Sequence, residues 1–390
     1  MKKQIIIVAG TRPECIKMAP IYFALRESTL FTPLFLSTAQ HRQMLDQTLN
    51  VFGITPEADL DLMQHGQTLP DLTARVLTAV SAFLGKTRPA ALLVQGDTTT
   101  VLASALAAFY ARIPVGHVEA GLRTGDMLSP FPEEMNRRLT TPLAHWHFCP
   151  TEQSRANLLR EGIAAGNCHV TGNPVIDALL RMREQLLAHQ TPVPEIAARC
   201  RIPTAFANAF LAGSGRRWLL VTGHRRESFG KGFENICRAI LRLVQTHPDI
   251  GVLYPVHLNP HVQEPVRRIL GAHPHIALIP PVAYEDFIWL MNRCHFALSD
   301  SGGVQEEAPS LGKPVLVMRE TTERPEGIAA GTCRLVGTDV EKITREAALL
   351  IENPTEYARR STLKNPYGDG HAAEKIHAIL SDSFAAAPAP

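Results

Sequence analysis

The chain is short of net charge, of long apolar runs and of paired cysteines. Lys and Arg number 39 against 37 Asp and Glu, a formal charge of +2. No global field of one sign therefore recruits nucleic acid or an anionic membrane, and an anionic ligand has to be met by local charge. No segment approaches the roughly 20 apolar residues of a membrane span. The apolar stretch Ile5–Ala9 is shorter than the core of a secretion signal and reads as a first buried strand. Seven cysteines (Cys15, Cys149, Cys168, Cys200, Cys237, Cys294, Cys333) lie far apart with no C-x-x-C pair. Their odd total and wide spacing argue against a disulfide framework or a zinc cage and favour a reducing compartment. The expectation is a soluble, cytoplasmic protein with no nucleic-acid or membrane partner.

What is present is enough apolar residue for a sizeable core: 45% of 390 residues. At about 150 residues per domain the length implies two or three domains. Short Val/Ile/Leu runs alternate with longer amphipathic stretches, the pattern of parallel strands covered by helices on both faces. The first half offers strands at Ile5–Ala9, Leu34–Thr38, Ala91–Gln95, Val115–Val118, Trp146–Cys149 and His169–Thr171. The second offers Trp218–Thr222, Gly251–Pro255, Ile276–Ile279, Phe296–Ser299, Val315–Met318 and Arg334–Val336. Val175–Gln190 reads as helical. The Pro-, Ala-, Asn- and Gly-rich stretch Thr191–Gly215 reads as the surroundings of a domain boundary. Two successive βα arrays imply an α/β chain of two doubly wound domains. We place the first at residues 1–172 with a C-terminal helix at 370–390, and the second at 173–369. Such sheets bind ligands at the carboxyl ends of their strands, and a site shared by both would lie in an interdomain cleft.

Several strand-following loops are more polar and Gly-rich than a connection requires. Gly10-Thr11-Arg12-Pro13-Glu14, followed by Lys17, puts a Gly turn, a helix start and two cations where a diphosphate can be held. It lacks the G-x-G-x-x-G spacing of a dinucleotide fold, which counts against NAD. Carboxylates stand at three further places: Asp97 in Gly96–Thr100, Glu119 in His117–Gly121, and Glu133 with Glu134 after Pro132. Asp97 also suits a helix N-cap and Glu133 a helix first turn. Glu119, closing an apolar strand, has no such excuse. Carboxylates at one sheet edge suit acid/base work or support of a positive charge. In the second half, His224-Arg225-Arg226 follows one strand, His257 and Asn259 another. Asp300-Ser301-Gly302-Gly303, with Glu306 and Glu307, leads from a third into a helix. Cations and close-approach glycines suit phosphate, and a carboxylate one turn into a helix suits ribose hydroxyls.

From about Ile5 to beyond Asp369 these strings resemble the non-hydrolysing UDP-N-acetylglucosamine 2-epimerases of bacterial surface-polysaccharide synthesis. The resemblance is carried by GTRPE at Gly10–Glu14, AQHRQMLDQ at Ala39–Gln47, GDTTT at Gly96–Thr100 and HVEAGLRTGD at His117–Asp126. PEEMNR at Pro132–Arg137, TGHRRESFG at Thr222–Gly230, PVHLNP at Pro255–Pro260 and SDSGGVQEEAPSLGKPVLVMR at Ser299–Arg319 continue it. TTERPE at Thr321–Glu326 and NPYGDG at Asn365–Gly370 complete it. The resemblance implies two Rossmann-like domains arranged as in GT-B glycosyltransferases and a homodimer. It also implies reversible conversion of UDP-GlcNAc to UDP-ManNAc without cofactor, NAD or metal, through loss of UDP to 2-acetamidoglucal and its re-addition. Asp97, Glu119, Glu133 and His224 then match the catalytic groups. Arg12, Lys17, Phe287, Ser301, Gly302, Gly303, Glu307 and Arg324 match substrate-binding positions. Gln40, His41, Gln43, Arg225 and His257 match positions tied in some members to a second UDP-GlcNAc acting as activator. The chain departs from the usual pattern at Cys15, Gln95, Val282 and Gly66. None of these removes a carboxylate.

Overall fold

The computed structural model describes residues 2–39, 42–64, 66–213, 215–271 and 273–386. They form two compact units, Met1–Ala178 with Tyr367–Pro390, and Leu179–Pro366. The chain therefore passes between units inside the helix Pro174–His189 and again just before Tyr367. Thr191–Gly215 belongs to the second unit, where it supplies the helix Val193–Arg199 and a helical stretch from Thr204 to Leu211. Buried Ile196, Phe206 and Phe210 hold it there, which outweighs its loop-like composition.

The first unit carries a parallel sheet of β1 (Lys3–Ala9), β2 (Phe31–Ser37), β3 (Ala58–Asp59), β4 (Ala91–Gln95), β5 (Val115–Val118), β6 (Trp146–Cys149) and β7 (Cys168–Val170). Their spatial order is β3-β2-β1-β4-β5-β6-β7. Ile5, Ile6 and Ile7 are all fully buried, so both faces of β1 are covered and an unbroken apolar run serves where alternation would fail. Val76 and Val80 of helix Leu69–Thr87 and Val101 of helix Thr99–Tyr110 pack in one core with Leu92 and Val94 of β4. β3 went unforeseen because it is two residues long and has no apolar run. The last helix, Ala372–Ala386, returns to this unit. Asp177 caps it, accepting from the N–H groups of Ala372 and Ala373 at 3.2 and 2.8 Å. Phe384 packs edge-on against Phe31.

The second unit repeats the plan with β8 (Arg217–Thr222), β9 (Ile250–Pro255), β10 (Ile276–Ile279), β11 (Ala297–Ser299), β12 (Val315–Val317) and β13 (Cys333–Leu335). The order is β10-β9-β8-β11-β12-β13, again all parallel. Ile240 and Leu243 of the amphipathic helix Lys231–Thr246 pack with Val252 of β9, Leu298 of β11 and Ile343 of helix Val340–Glu352. In each sheet the order reverses at one place, between β1 and β4 and between β8 and β11. Loops leaving neighbouring strands diverge there and open a crevice at the carboxyl edge. No described helix is long and apolar enough to cross a membrane.

Gly121 separates backbone strain from steric exclusion. It lies at φ +88°, and a Cβ there would stand 2.2 Å from the carbonyl oxygen of Ser154. Gly162 has nearly the same φ, +87°, with open space around it. Gly162→Ala should cost about 1–2 kcal/mol, the strain of a left-handed residue. Gly121→Ala should cost about 2 kcal/mol more, because backbone must also move. Urea unfolding of the two variants checks the difference.

Candidate active site

In the first unit the loop after β1 is fastened before it meets any ligand. Thr11 caps the helix Arg12–Glu27, and Glu14 closes the capping box. The Glu14 carboxylate accepts from the N–H groups of Gly10 and Thr11 at 2.6 and 2.9 Å and from the Thr98 hydroxyl at 2.5 Å. Burial raises its pKa, against those hydrogen bonds. This ties the loop after β1 to the loop after β4 across the switch point. Arg12 takes the first helical position, and Lys17 is buried one turn further on.

Lys17 forms an ion pair with Glu119, which follows β5. Glu119 is buried and adopts φ +64°, a left-handed conformation that a side chain other than glycine rarely takes. Its carboxylate also accepts from the Gln95 side chain and from Asn173 Nδ2 at 3.0 Å. Gln95, one of the departures from the family pattern, thus helps to fix a catalytic candidate.

Asp97 does not cap the following helix. Thr98 does, accepting from Val101 N. The Asp97 carboxylate instead takes two bonds from Arg137, Nε at 3.0 Å and Nη2 at 2.7 Å, both on Oδ2. The carbonyl of Asp97 accepts from Asn136 at 2.8 Å. Arg137 is shared with the fully buried Glu134, which also accepts from the N–H groups of Thr124 and Gly125. Glu133 opens the helix Glu133–Thr140, and its buried Oε2 has no hydrogen-bond partner among the described residues. Adjacent glutamates have separate tasks: Glu134 is structural, and Glu133 keeps an uncommitted oxygen.

In the second unit His224 and Arg225 follow β8, Ser301, Gly302 and Gly303 follow β11, His257 follows β9 and Arg324 follows β12. Asp300 is buried, and its Oδ2 accepts from the N–H groups of His224 and Arg225 at 2.7 and 2.8 Å. Its Oδ1 lies 3.0 Å from His224 Nδ1. Burial pushes the Asp300 carboxyl up, but its bonds with His224 and Arg225 outweigh this and hold it low. The His224 ring stacks on His257. Ser301 precedes the short helix Gly302–Glu307, whose first N–H groups have no intrahelical acceptor. Arg324 pairs with Glu306, and Tyr284 donates to Glu307 at 3.0 Å. Half-buried Phe287 is on the helix Tyr284–Arg293. Gln40 and His41 lie outside the described residues. Gln43 is in the helix Arg42–Phe52, with its side chain outside the description.

Sequence reasoning missed the holders of these groups: Gln95, Arg137 and Asn173 in the first unit, Asp300 as an anchor in the second. Arg137 carried a signal, since it stands one turn after Glu133 and Glu134. Asn173 carried none, because its contact closes over 54 residues of chain.

Residues 24–381 match the family described as UDP-N-acetylglucosamine 2-epimerase. The UDP-N-acetylglucosamine 2-epimerase of Escherichia coli strain K12 is 53% identical over 380 residues, 97% of this chain and 99% of that protein. The crystal structure of the Neisseria meningitidis UDP-GlcNAc 2-epimerase bound to UDP-GlcNAc superposes with a TM-score of 0.87 at 45% identity, covering 97% of this chain and all of that one. That of the Methanocaldococcus jannaschii enzyme, in complex with UDP-GlcNAc and UDP, gives 0.77 at 32% identity, covering 98% of this chain and 100% of that one. Fold and site define a nucleotide-sugar enzyme of the two-domain, GT-B-like α/β class. The chain belongs to the UDP-N-acetylglucosamine 2-epimerase family.

His117, facing His147 in register across β5 and β6, sets an acid limit on the first unit. Its Nε2 lies 2.7 Å from the Gly96 carbonyl and so carries the proton, while Nδ1 is buried with no partner among the described residues. Burial lowers His117 to about 4 and His147 to about 3. Because the folded values are below the unfolded ones, the unfolded chain binds more protons below pH ~6.5. Stability is complete above that value and declines as pH falls towards the folded values. His117→Gln should remove about 2 kcal/mol of the loss between pH 7 and pH 5, as measured by urea unfolding at both pH values.

Proposed function

We propose that this chain interconverts UDP-GlcNAc and UDP-ManNAc by inversion at C2, without hydrolysis. The observation that carries this is the set of three carboxylates at the carboxyl edge of the first sheet, each held differently: Asp97 by Arg137, Glu119 by Lys17, and Glu133 with a buried oxygen uncommitted. The second unit takes the nucleotide, with Ser301, Gly302 and Gly303 offered to phosphate and Glu307 to ribose. Arg12, Arg324 and His224 complement the negative charge. His224 is suited to this because Asp300 fixes its ring.

The C2 proton has no carbonyl beside it, so departure of UDP must build positive charge at C1 as C2–H breaks. Cleavage of the C1–O bond to UDP and of C2–H gives UDP, a proton and 2-acetamidoglucal. Re-addition forms C1–O again and puts a proton on the opposite face of C2, so acid/base groups are needed on both sides of the ring. Asp97 and Glu133 share these transfers in our assignment. Glu119, locked to Lys17, keeps a negative charge near the developing cation. Exclusion of water during the life of the glycal keeps the product attached to UDP.

Activation by a second UDP-GlcNAc is part of the same proposal, with Arg225 and His257 beside His224 as its described contacts. A homodimer is supported by Phe109, Tyr110, Met135 and Leu139, exposed on two helices that pack together. Seven free, buried cysteines support a cytoplasmic setting. Bacterial surface-polysaccharide synthesis is the proposed consumer of the product.

Incubation with UDP-GlcNAc in deuterated water should yield UDP-ManNAc bearing deuterium at C2, read by mass spectrometry. Free ManNAc with UDP as the only products would instead mark a hydrolysing enzyme. Asp97→Asn should lower C2 exchange at least 100-fold, the scale of a lost acid/base group, with UDP affinity retained in calorimetry. Full exchange in that variant removes Asp97 from the chemistry.

A further inference from the structure

We propose that the second unit carries a second anion site: a pocket of about 430 Å3 at the amino-terminal edge of its sheet, suited to an organic phosphate of nucleotide size. Its walls come from the residues that enter the strands. Arg217 begins β8 with Trp218 next to it, Cys294 and His295 precede β11, and Lys313 precedes β12. The loops assigned to UDP leave the other ends of β8 and β11. An occupant of this pocket therefore does not compete with UDP for those loops.

The pocket gathers Arg216, Arg217, Arg293, His295 and Lys313. Lys313 is half-buried, and Arg293 is exposed with its guanidinium over the Trp289 ring. No carboxylate pairs with Lys313 or Arg293 among the described residues. Burial lowers the Lys313 ammonium, opposed only by the thiol of Cys294. That thiol is itself pushed up to about 12 by burial, so it is neutral and supplies no charge at pH 7. Arg293 lies over the Trp289 ring at 4.1 Å, and burial lowers it too. Arg217 is already committed, to Asp249 at 3.1 Å and to the Ile351 carbonyl at 2.7 Å. A half-buried ammonium with no carboxylate beside it is relieved when an anion joins it. A phosphate supplies that charge in the form guanidinium and ammonium groups bind best.

The size and the remaining lining narrow the class. Inorganic phosphate would fill only a small part of the space, and 430 Å3 falls in the range of small-molecule sites. Phe210, Trp218 and Tyr357 give the pocket an aromatic wall, with the His295 ring stacked flat on Tyr357 at 4.1 Å. Such a wall suits the planar base of a nucleotide.

The test uses the full chain with UDP at saturation, so that the loops at the other edge are filled, and ADP as probe. Calorimetry should show ADP binding in addition to UDP. Lys313→Met should weaken ADP at least tenfold and Arg293→Gln at least threefold, with turnover in the absence of ADP unchanged. Arg293→Gln carries the test by itself if the lysine variant fails to fold. The proposal is overturned if ADP does not bind once UDP is saturating, or if Arg293→Gln binds ADP as the parent does. Inorganic phosphate matching ADP in affinity would overturn the assignment to an organic ligand.

Discussion

The buried carboxylate of Glu119 is the constraint around which the first unit is arranged. It receives Lys17 from the helix after β1, Gln95 from the end of β4 and Asn173 from beyond β7. Three separate stretches of chain are therefore brought to one point at the end of β5. A carboxylate so placed in low dielectric needs all of them, since removing one partner of a buried pair costs roughly 3–5 kcal/mol. The left-handed backbone of Glu119 is strained on its own, and these contacts over-determine it.

The second unit answers the same topological problem with a different carboxylate. Asp300, at the end of β11, binds the backbone of His224 and Arg225 at the end of β8. Both anchors stand beside the point where strand order reverses. In the first sheet Glu14 bridges that point and the Lys17–Glu119 ion pair reaches one strand further, to the end of β5, while in the second an aspartate accepts backbone N–H groups. The groups assigned to chemistry are thus set on elements already rigid before substrate arrives.

Much of this was legible in the residues. Short runs of three to five residues located nearly every strand, because strands buried on both faces need no alternation, and the polar loops after them located the candidate site. The short β3 was illegible, having almost nothing to bury. The composition of Thr191–Gly215 hid its helices, which Ile196, Phe206 and Phe210 hold by burial in the second unit. At Gly96-Asp97-Thr98 a single residue's shift in capping changed a reading. Thr98 takes the cap and releases Asp97 to Arg137.

By itself the sequence determined the alternation of strands and helices, the two-domain α/β class and the kind of group available at each strand end. These follow from short-range pattern and residue type. Only the tertiary structure decided which groups are spent and which remain: Glu134 and Glu14 are consumed by backbone N–H groups, while Glu133 keeps a buried oxygen. The physical reason is that a carboxylate's role is set by the donors around it. Those donors arrive from strands and helices distant along the chain, at places fixed by the order of strands in the sheet.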